Sequence, residues 1–434
     1  MPEGVVRFED ARRALDARQP EHMPGPSLDR IRRVVEYLDH PERTYPTIHV
    51  AGTNGKTTAA RAATAVACAH GVTTGLYVSP HLASVTERIS VCGVDVSEEE
   101  FAEGWERLAP ILELVDGAGD GAVTYFEAVT ALAFLWFADK PVGLGVFEVG
   151  MGGSWDATNL VAGDVAVVCP IGMDHVAELG PTLADIAGEK AGVLKAGATA
   201  IVREQPDEAE AVLRRRAGEV GATLLWEGPD WEVASRAIAV GGQAFTLRGR
   251  HATYEELFVP QFGAHAVHNV AAGAVAYEAL TDQALDEDAL REALVGLRSP
   301  GRLEVVGRSP LLILDGAHNP AGAEALAAAM REFFTWDRLH LVVAVSANKD
   351  VAGVLGPLAP LADVAYATPN DSVRSADAFA VAEALSAQRV DVRVAGSVAE
   401  AIDEARAAAG PDDVILVTGS LYTVADARRA LGIP

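Results

Sequence analysis

The sequence predicts an α/β protein: a mainly parallel sheet covered by helices on both faces, then a second, smaller α/β unit. Three observations carry this. Thr47–Ala51, a glycine-rich turn and an alanine-rich stretch through His70 follow one another as strand, turn and helix. Short apolar runs then alternate with helical patterns to about residue 220. Beyond Ser299-Pro300-Gly301 the same strand–helix rhythm begins afresh.

Taken in order, residues 28–38 set apolar side chains at helical spacing and predict an amphipathic helix. The strand Thr47–Ala51 comes next. Further strands are expected at 73–78, 142–148, 164–169 and 199–203, with helices at 97–115, 124–139 and 206–220. Residues 230–260, around Gly241-Gly242, alternate apolar and polar side chains and read as a small antiparallel hairpin region. Helices from about 265 and 286 follow. After the Ser299–Gly301 hinge, strands are expected at 311–315, 340–345, 363–367, 391–394 and 413–418. The boundary falls near 297–301, dividing the chain into 1–297 and 298–434.

A length of 434 residues makes two large domains comfortable, and half the residues are hydrophobic. The formal net charge of -26 repels nucleic-acid phosphates and anionic lipid, which excludes both as partners. It equally repels an anionic substrate, so a phosphate site must carry its own cations. Cys68, Cys92 and Cys169 are odd in number and scattered, which reads as reduced core thiols in a reducing cytoplasm. The N-terminus lacks an apolar signal core, and no apolar run reaches the ~20 residues of a membrane helix. A soluble, cytoplasmic protein is expected.

Gly52-Thr53-Asn54-Gly55-Lys56-Thr57-Thr58 sits between the first strand and its helix, the order a P-loop-type sheet domain requires. Val50 stands where the strict pattern has its first glycine. Glycines let backbone N–H groups converge on phosphate oxygens, and a helix N-terminus adds positive dipole. Lys56 is placed to reach the β- and γ-phosphates of ATP, and the Thr57 or Thr58 hydroxyl to serve Mg²⁺. Glu148 ends a predicted strand and Asp174-His175 follows the next one, both at carboxyl ends where ligands gather in open α/β sheets. Oxygen-rich ligation beside phosphates points to Mg²⁺ over Zn²⁺. Ser79-Pro80-His81 follows a third strand, and Glu189-Lys190 lies two turns into a helix capped by Thr182. Thr124 and Glu127 flank Tyr125-Phe126 as a capping box, which by itself is a structural device. Arg302 lies at the hinge, and Asp315-Gly316-Ala317-His318-Asn319-Pro320 at the end of the first strand of the smaller unit.

These segments, with Glu87-Arg88-Ile89, Glu148–Asn159 and Thr418–Tyr422, occur in order over nearly the whole chain. As a set they resemble the folylpolyglutamate synthase/dihydrofolate synthase family of the Mur ligase superfamily. The resemblance implies a smaller, Rossmann-like C-terminal domain that takes glutamate. It implies that Gly55, Lys56, Thr57 and Thr58 bind ATP phosphates, with Asn269, Arg302 and Asp315 contacting the nucleotide. It further implies Ser79, Glu148 and His175 as Mg²⁺ ligands, and Lys190 as a lysine that is carbamylated and helps hold the metal. Thr124, Tyr125, Phe126 and Glu127, with Trp155, Asp156 and Ala157, match pterin-binding segments. His318 and Ser420 are similar to residues near the incoming glutamate. The sequence departs from the family at Ser154-Trp155, where Arg-Leu is common, and at Ser346–Asp350, where Asp-Lys-Asp is usual.

The chemistry this implies is amide synthesis. A carboxylate lacks a leaving group, and phosphorylation by ATP converts it to an acyl phosphate that the amine of L-glutamate can attack. Bringing the acid against the γ-phosphate sets like charges ~4 Å apart, which costs roughly 4 kcal/mol per pair at an effective dielectric of 20. Mg²⁺, Lys56 and Arg302 offset that cost. The acceptors expected are dihydropteroate and/or folates, and the protein is expected to be a monomer. Cell-wall Mur ligases share the ATP chemistry but carry a sugar-nucleotide domain ahead of the phosphate loop, whereas about 50 residues precede Gly52. A phosphate-loop kinase would have no need of the second α/β unit.

Overall fold

The computed structural model describes residues 6–20, 27–119 and 121–433. Its first sheet has eight strands: β1 Thr47–Ala51, β2 Thr74–Tyr77, β3 Ile89–Val91, β4 Val94–Asp95, β5 Leu144–Glu148, β6 Val165–Val168, β7 Thr199–Val202 and β8 Thr223–Trp226. Their order is β4-β3-β2-β5-β1-β6-β7-β8. Every pairing from β2 across to β8 is parallel, while β3 and β4 add an antiparallel edge.

Alternation along the strands sends side chains to two faces. Leu76 and Val146 join a core with the helices Lys56–Ala69, Ala264–Thr281 and Glu287–Gly296. Tyr77 and Phe147 point the other way, into a core with the helices Phe8–Asp16, Asp29–Tyr37, Glu98–Asp116 and Tyr125–Asp139. The helix after β1 and the helix Ala264–Thr281 cross very closely. A Cβ on Gly273 would lie 2.3 Å from the Ala59 carbonyl oxygen, so glycine sets that approach. The expected hairpin is a three-stranded antiparallel sheet of β9 Glu232–Ala239, β10 Gly242–Arg248 and β11 Thr253–Val259.

The second large sheet comprises β12 Glu304–Arg308, β13 Leu311–Leu314, β14 Leu339–Val343, β15 Val364–Ala367, β16 Asp391–Val394 and β17 Val414–Thr418. Its order is β12-β13-β17-β14-β15-β16, parallel apart from β12.

The reading of the cysteines needs correction. Cys68 and Cys92 form a disulfide, and only Cys169 is a free, buried thiol. The C-terminal end of the phosphate-loop helix and the turn between β3 and β4 lie side by side. This brings two residues 24 apart in sequence to a Cα separation of 5.7 Å, a proximity that spacing alone does not reveal.

Candidate active site

The parallel pairing of β1 with β5 and β6 brings their carboxyl ends level, so that Val50 stands beside Glu148. The loop after β1 turns through Gly52 and Gly55, both with positive φ. A Cβ on Gly55 would meet the Asn269 side chain at 2.4 Å, so only glycine fits there. Lys56 opens the helix and folds its Nζ back onto the carbonyls of Gly52 (3.2 Å) and Thr53 (3.4 Å). Thr57 Oγ1 donates to Glu148 Oε1 at 2.9 Å, and the Ser79 backbone N–H donates to Oε2 at 3.4 Å. Thr58, by contrast, is buried in the helix packing, so Thr57 is the hydroxyl that faces the carboxylate. Glu148 is 2 % exposed, and burial pushes its carboxyl above the ordinary range against the pull of Lys56 and Thr57.

His175 follows β6 in a left-handed conformation (φ 50°). Burial, aided by the charges of Lys349, Lys56 and Lys190 and opposed by Asp174, holds its pKa down to about 3. The ring is therefore neutral, as a metal ligand must be. Lys190 is buried and donates from Nζ to the Gly52 carbonyl at 2.9 Å. Burial and then the charge of Lys56 pull its pKa to about 7. Among the described residues there is no group of three or more His, Cys, Asp or Glu side chains poised around one point. A closed Zn²⁺ site is therefore not built here. A buried carboxylate with two hydroxyl residues and one neutral imidazole suits Mg²⁺, which keeps much of its shell for phosphate and water.

Asp174 is engaged elsewhere. Its carboxylate pairs with Lys349, lies 3.5 Å from His318 Nε2 and accepts from Asn319 Nδ2 at 3.2 Å. Asn319 also exchanges two 3.0 Å hydrogen bonds with Asn54 of the phosphate loop. Burial opposes the charge on Asp174, but the His318 bond and the charge of Lys349 hold its carboxyl far below the usual range. The two α/β units thus meet through polar groups directly at the phosphate loop.

A cavity of about 590 Å³ opens at this meeting. One wall carries Thr124, Tyr125, Phe126, Glu127, Trp155, Asp156 and Ala157; Ser79 and His175 lie toward the phosphate loop, and His318 and Ser420 come from the second unit. Several of these also hold the frame. Thr124 and Glu127 complete the capping box, and Glu127 forms a buried pair with Arg30 at 3.0 Å. Asp156 caps the turn Ala157–Leu160, accepting from the backbones of Thr158 and Met151 at 3.0 Å each. Ser420 caps the last helix through the Tyr422 N–H at 3.1 Å.

Asn269 lies on the opposite side of the loop, against Gly55 and hydrogen-bonded to Arg203. Asp315 accepts from the Leu303 and Ala317 backbones, and Arg302 bears electrostatically on both Asp315 and Glu148. At the first departure, Ser154 bonds the Glu189 carbonyl at 3.1 Å while Trp155 lines the cavity. Arg30 and Arg203 were not singled out from the sequence; Asn54 and Lys349 lay within the Gly52–Thr58 and Ser346–Asp350 segments, but nothing there pointed to their partners Asn319 and Asp174.

Two α/β units sharing one cavity, beside a phosphate loop and its buried acid, are the frame of an ATP-dependent acid–amino-acid ligase. The chain matches the Mur ligase middle domain over residues 50–277 and the Mur ligase glutamate ligase domain over 301–421. It is 38% identical to a Mycobacterium tuberculosis dihydrofolate synthase/folylpolyglutamate synthase over 99% of this chain and 95% of that one. A Bacillus subtilis protein of the same name is 32% identical, covering 98% and 99%. Among solved structures, a Mycobacterium tuberculosis folylpolyglutamate synthase complexed with ADP superposes with a TM-score of 0.94 at 38% identity over 98% of both chains. Escherichia coli FolC in complex with DHPP and ADP gives 0.87 at 32%, over 100% of this chain and 99% of that one. The chain belongs to the dihydrofolate synthase/folylpolyglutamate synthase family and is an ATP-dependent ligase of folate metabolism.

Proposed function

We propose that this ligase activates both dihydropteroate and folates as acyl phosphates and couples each to L-glutamate. The observation that carries this is the continuity of one cavity, from an aromatic wall at Tyr125, Phe126 and Trp155 to His175 and His318 beside the phosphate loop. The pterin body would stack on that wall, leaving its acid end toward Lys56. Lys56 and the loop N–H groups would hold the phosphates, with Asn269, Arg302 and Asp315 on the nucleotide. Thr57, Ser79, Glu148, His175 and Lys190 would hold Mg²⁺, which when bound neutralises phosphate charge. Near neutral pH a Lys190 amine with a pKa of about 7 is in large part uncharged, the form that reacts with carbon dioxide to give a carbamate. His318 and Ser420 would place the glutamate amine. The 297–301 segment would be the boundary between the domains and the hinge on which the second closes, excluding water from the intermediate.

No helix among the described residues is long and apolar enough to cross a membrane. We further propose a monomer working in the cytoplasm, where ATP is supplied. The test is ADP release by purified protein with glutamate, offering dihydropteroate in one assay and a reduced folate in another. Release with both acceptors is expected, and Lys56→Ala should lose at least about a hundredfold, as when a main transition-state cation is removed. Release independent of acceptor and glutamate would overturn the reading.

A further inference from the structure

We propose that Arg374, on the lip of the cavity, anchors the α-carboxylates of γ-glutamyl residues already attached to a folate, and so favours chain extension. This rests on the folate-ligase reading above. The acceptor's ring system and its reacting carboxylate are both fixed, one by the aromatic wall and the other by the phosphate loop. Each γ-glutamyl residue inserted between those ends must bulge toward the cavity mouth, and each brings an α-carboxylate. The chain's net charge of -26 repels such a tail, so a cation at the mouth is needed to receive it.

The other cations of the cavity wall are engaged. Arg18 pairs with Asp116 at 3.2 Å, Arg30 with Glu127 at 3.0 Å, and Lys349 with Asp174. Arg88 donates to His81 at 3.0 Å. Arg374 instead has a neutral partner: its Nη2 meets the Tyr422 hydroxyl at 3.1 Å, and its guanidinium lies 5.8 Å from that ring's centre. It has no carboxylate partner among the described residues. Its neighbour Val373 is fully exposed, which places the loop at the solvent edge.

The loop is nonetheless well held. The Arg374 carbonyl accepts from Ala347 N–H at 2.7 Å, its own N–H bonds Ser372 Oγ at 3.2 Å, and Asn370 Nδ2 bonds Thr423 Oγ1 at 3.1 Å. A guanidinium fork pre-oriented in this way, with open donors, matches a carboxylate in geometry and charge.

The test compares Arg374→Gln and Arg374→Lys with the unaltered enzyme on dihydropteroate, folate monoglutamate and folate triglutamate. For Arg374→Gln, kcat/KM with the triglutamate should fall about tenfold, as for loss of a charge-assisted bond. The values for dihydropteroate and the KM for glutamate should stay unchanged, and Arg374→Lys should recover part of the loss. Equal losses on all acceptors, a raised KM for glutamate, or no change anywhere would each overturn the assignment. An unaltered enzyme that never extends glutamylated folates overturns it as well. Failure of that enzyme with every acceptor instead removes the underlying reading.

Discussion

At the residue scale, the site is a set of charges made tolerable by close partners. Glu148 is buried yet faces Lys56 and the Thr57 hydroxyl. The residues proposed to hold phosphate and metal were legible because phosphate binding dictates glycine, lysine and hydroxyl at fixed spacing. The pairing of Lys349 with Asp174 was not, since the two lie 175 positions apart. The Cys68–Cys92 disulfide was hidden for a similar reason, as it depends on which turn packs beside the helix. His49 supplies a test of the frame behind the cavity. Fully buried, it bonds the Thr158 hydroxyl at 2.8 Å, and burial lowers its pKa from 6.5 to about 3. Between pH 3 and 6.5 the unfolded chain therefore takes up a proton that the folded chain refuses, so stability contributed at this site rises with pH across that window. Urea unfolding from pH 4 to 7 should give a flatter stability profile for His49→Gln than for the native chain. Equal slopes would contradict the assignment.

At the element scale, the parallel strands were legible as apolar runs bounded by turns, while β3, β4, β8 and β12 were not. The first two have three and two residues, too few to show a period. Strand β12 is half-buried from Glu304 to Gly307 and exposed at Arg308, so it lacks the apolar run of its neighbours. The capping box at Thr124 was legible, but its second duty was not: Glu127 also neutralises the buried guanidinium of Arg30, joining the helix Tyr125–Asp139 to the helix Asp29–Tyr37. Both side chains are at most 7% exposed, so removing one leaves an uncompensated charge. Glu127→Ala should cost about 3 kcal/mol or more in urea unfolding, as for other broken buried pairs. A loss near that of the cap alone, about 1 kcal/mol, would show the pair to be unimportant.

At the scale of the whole molecule, two sheets of different topology become one enzyme through a small polar junction. Asn54, Asp174, His318, Asn319 and Lys349 meet where the phosphate loop faces the second unit. On the proposed reading, that junction puts the amino-acid side of the cavity against the phosphate side, as attack on an activated acid requires. The two-part architecture was legible from the restart of the strand–helix rhythm after Gly301, though the contacts that join the parts were not. The claim on which the rest depends is that the acid itself takes the γ-phosphoryl group. Dihydropteroate with both carboxylate oxygens replaced by oxygen-18 tests it directly. When glutamate displaces phosphate from the acyl phosphate, one labelled oxygen should leave with each inorganic phosphate, read by mass spectrometry. Unlabelled phosphate released in step with product would contradict the account.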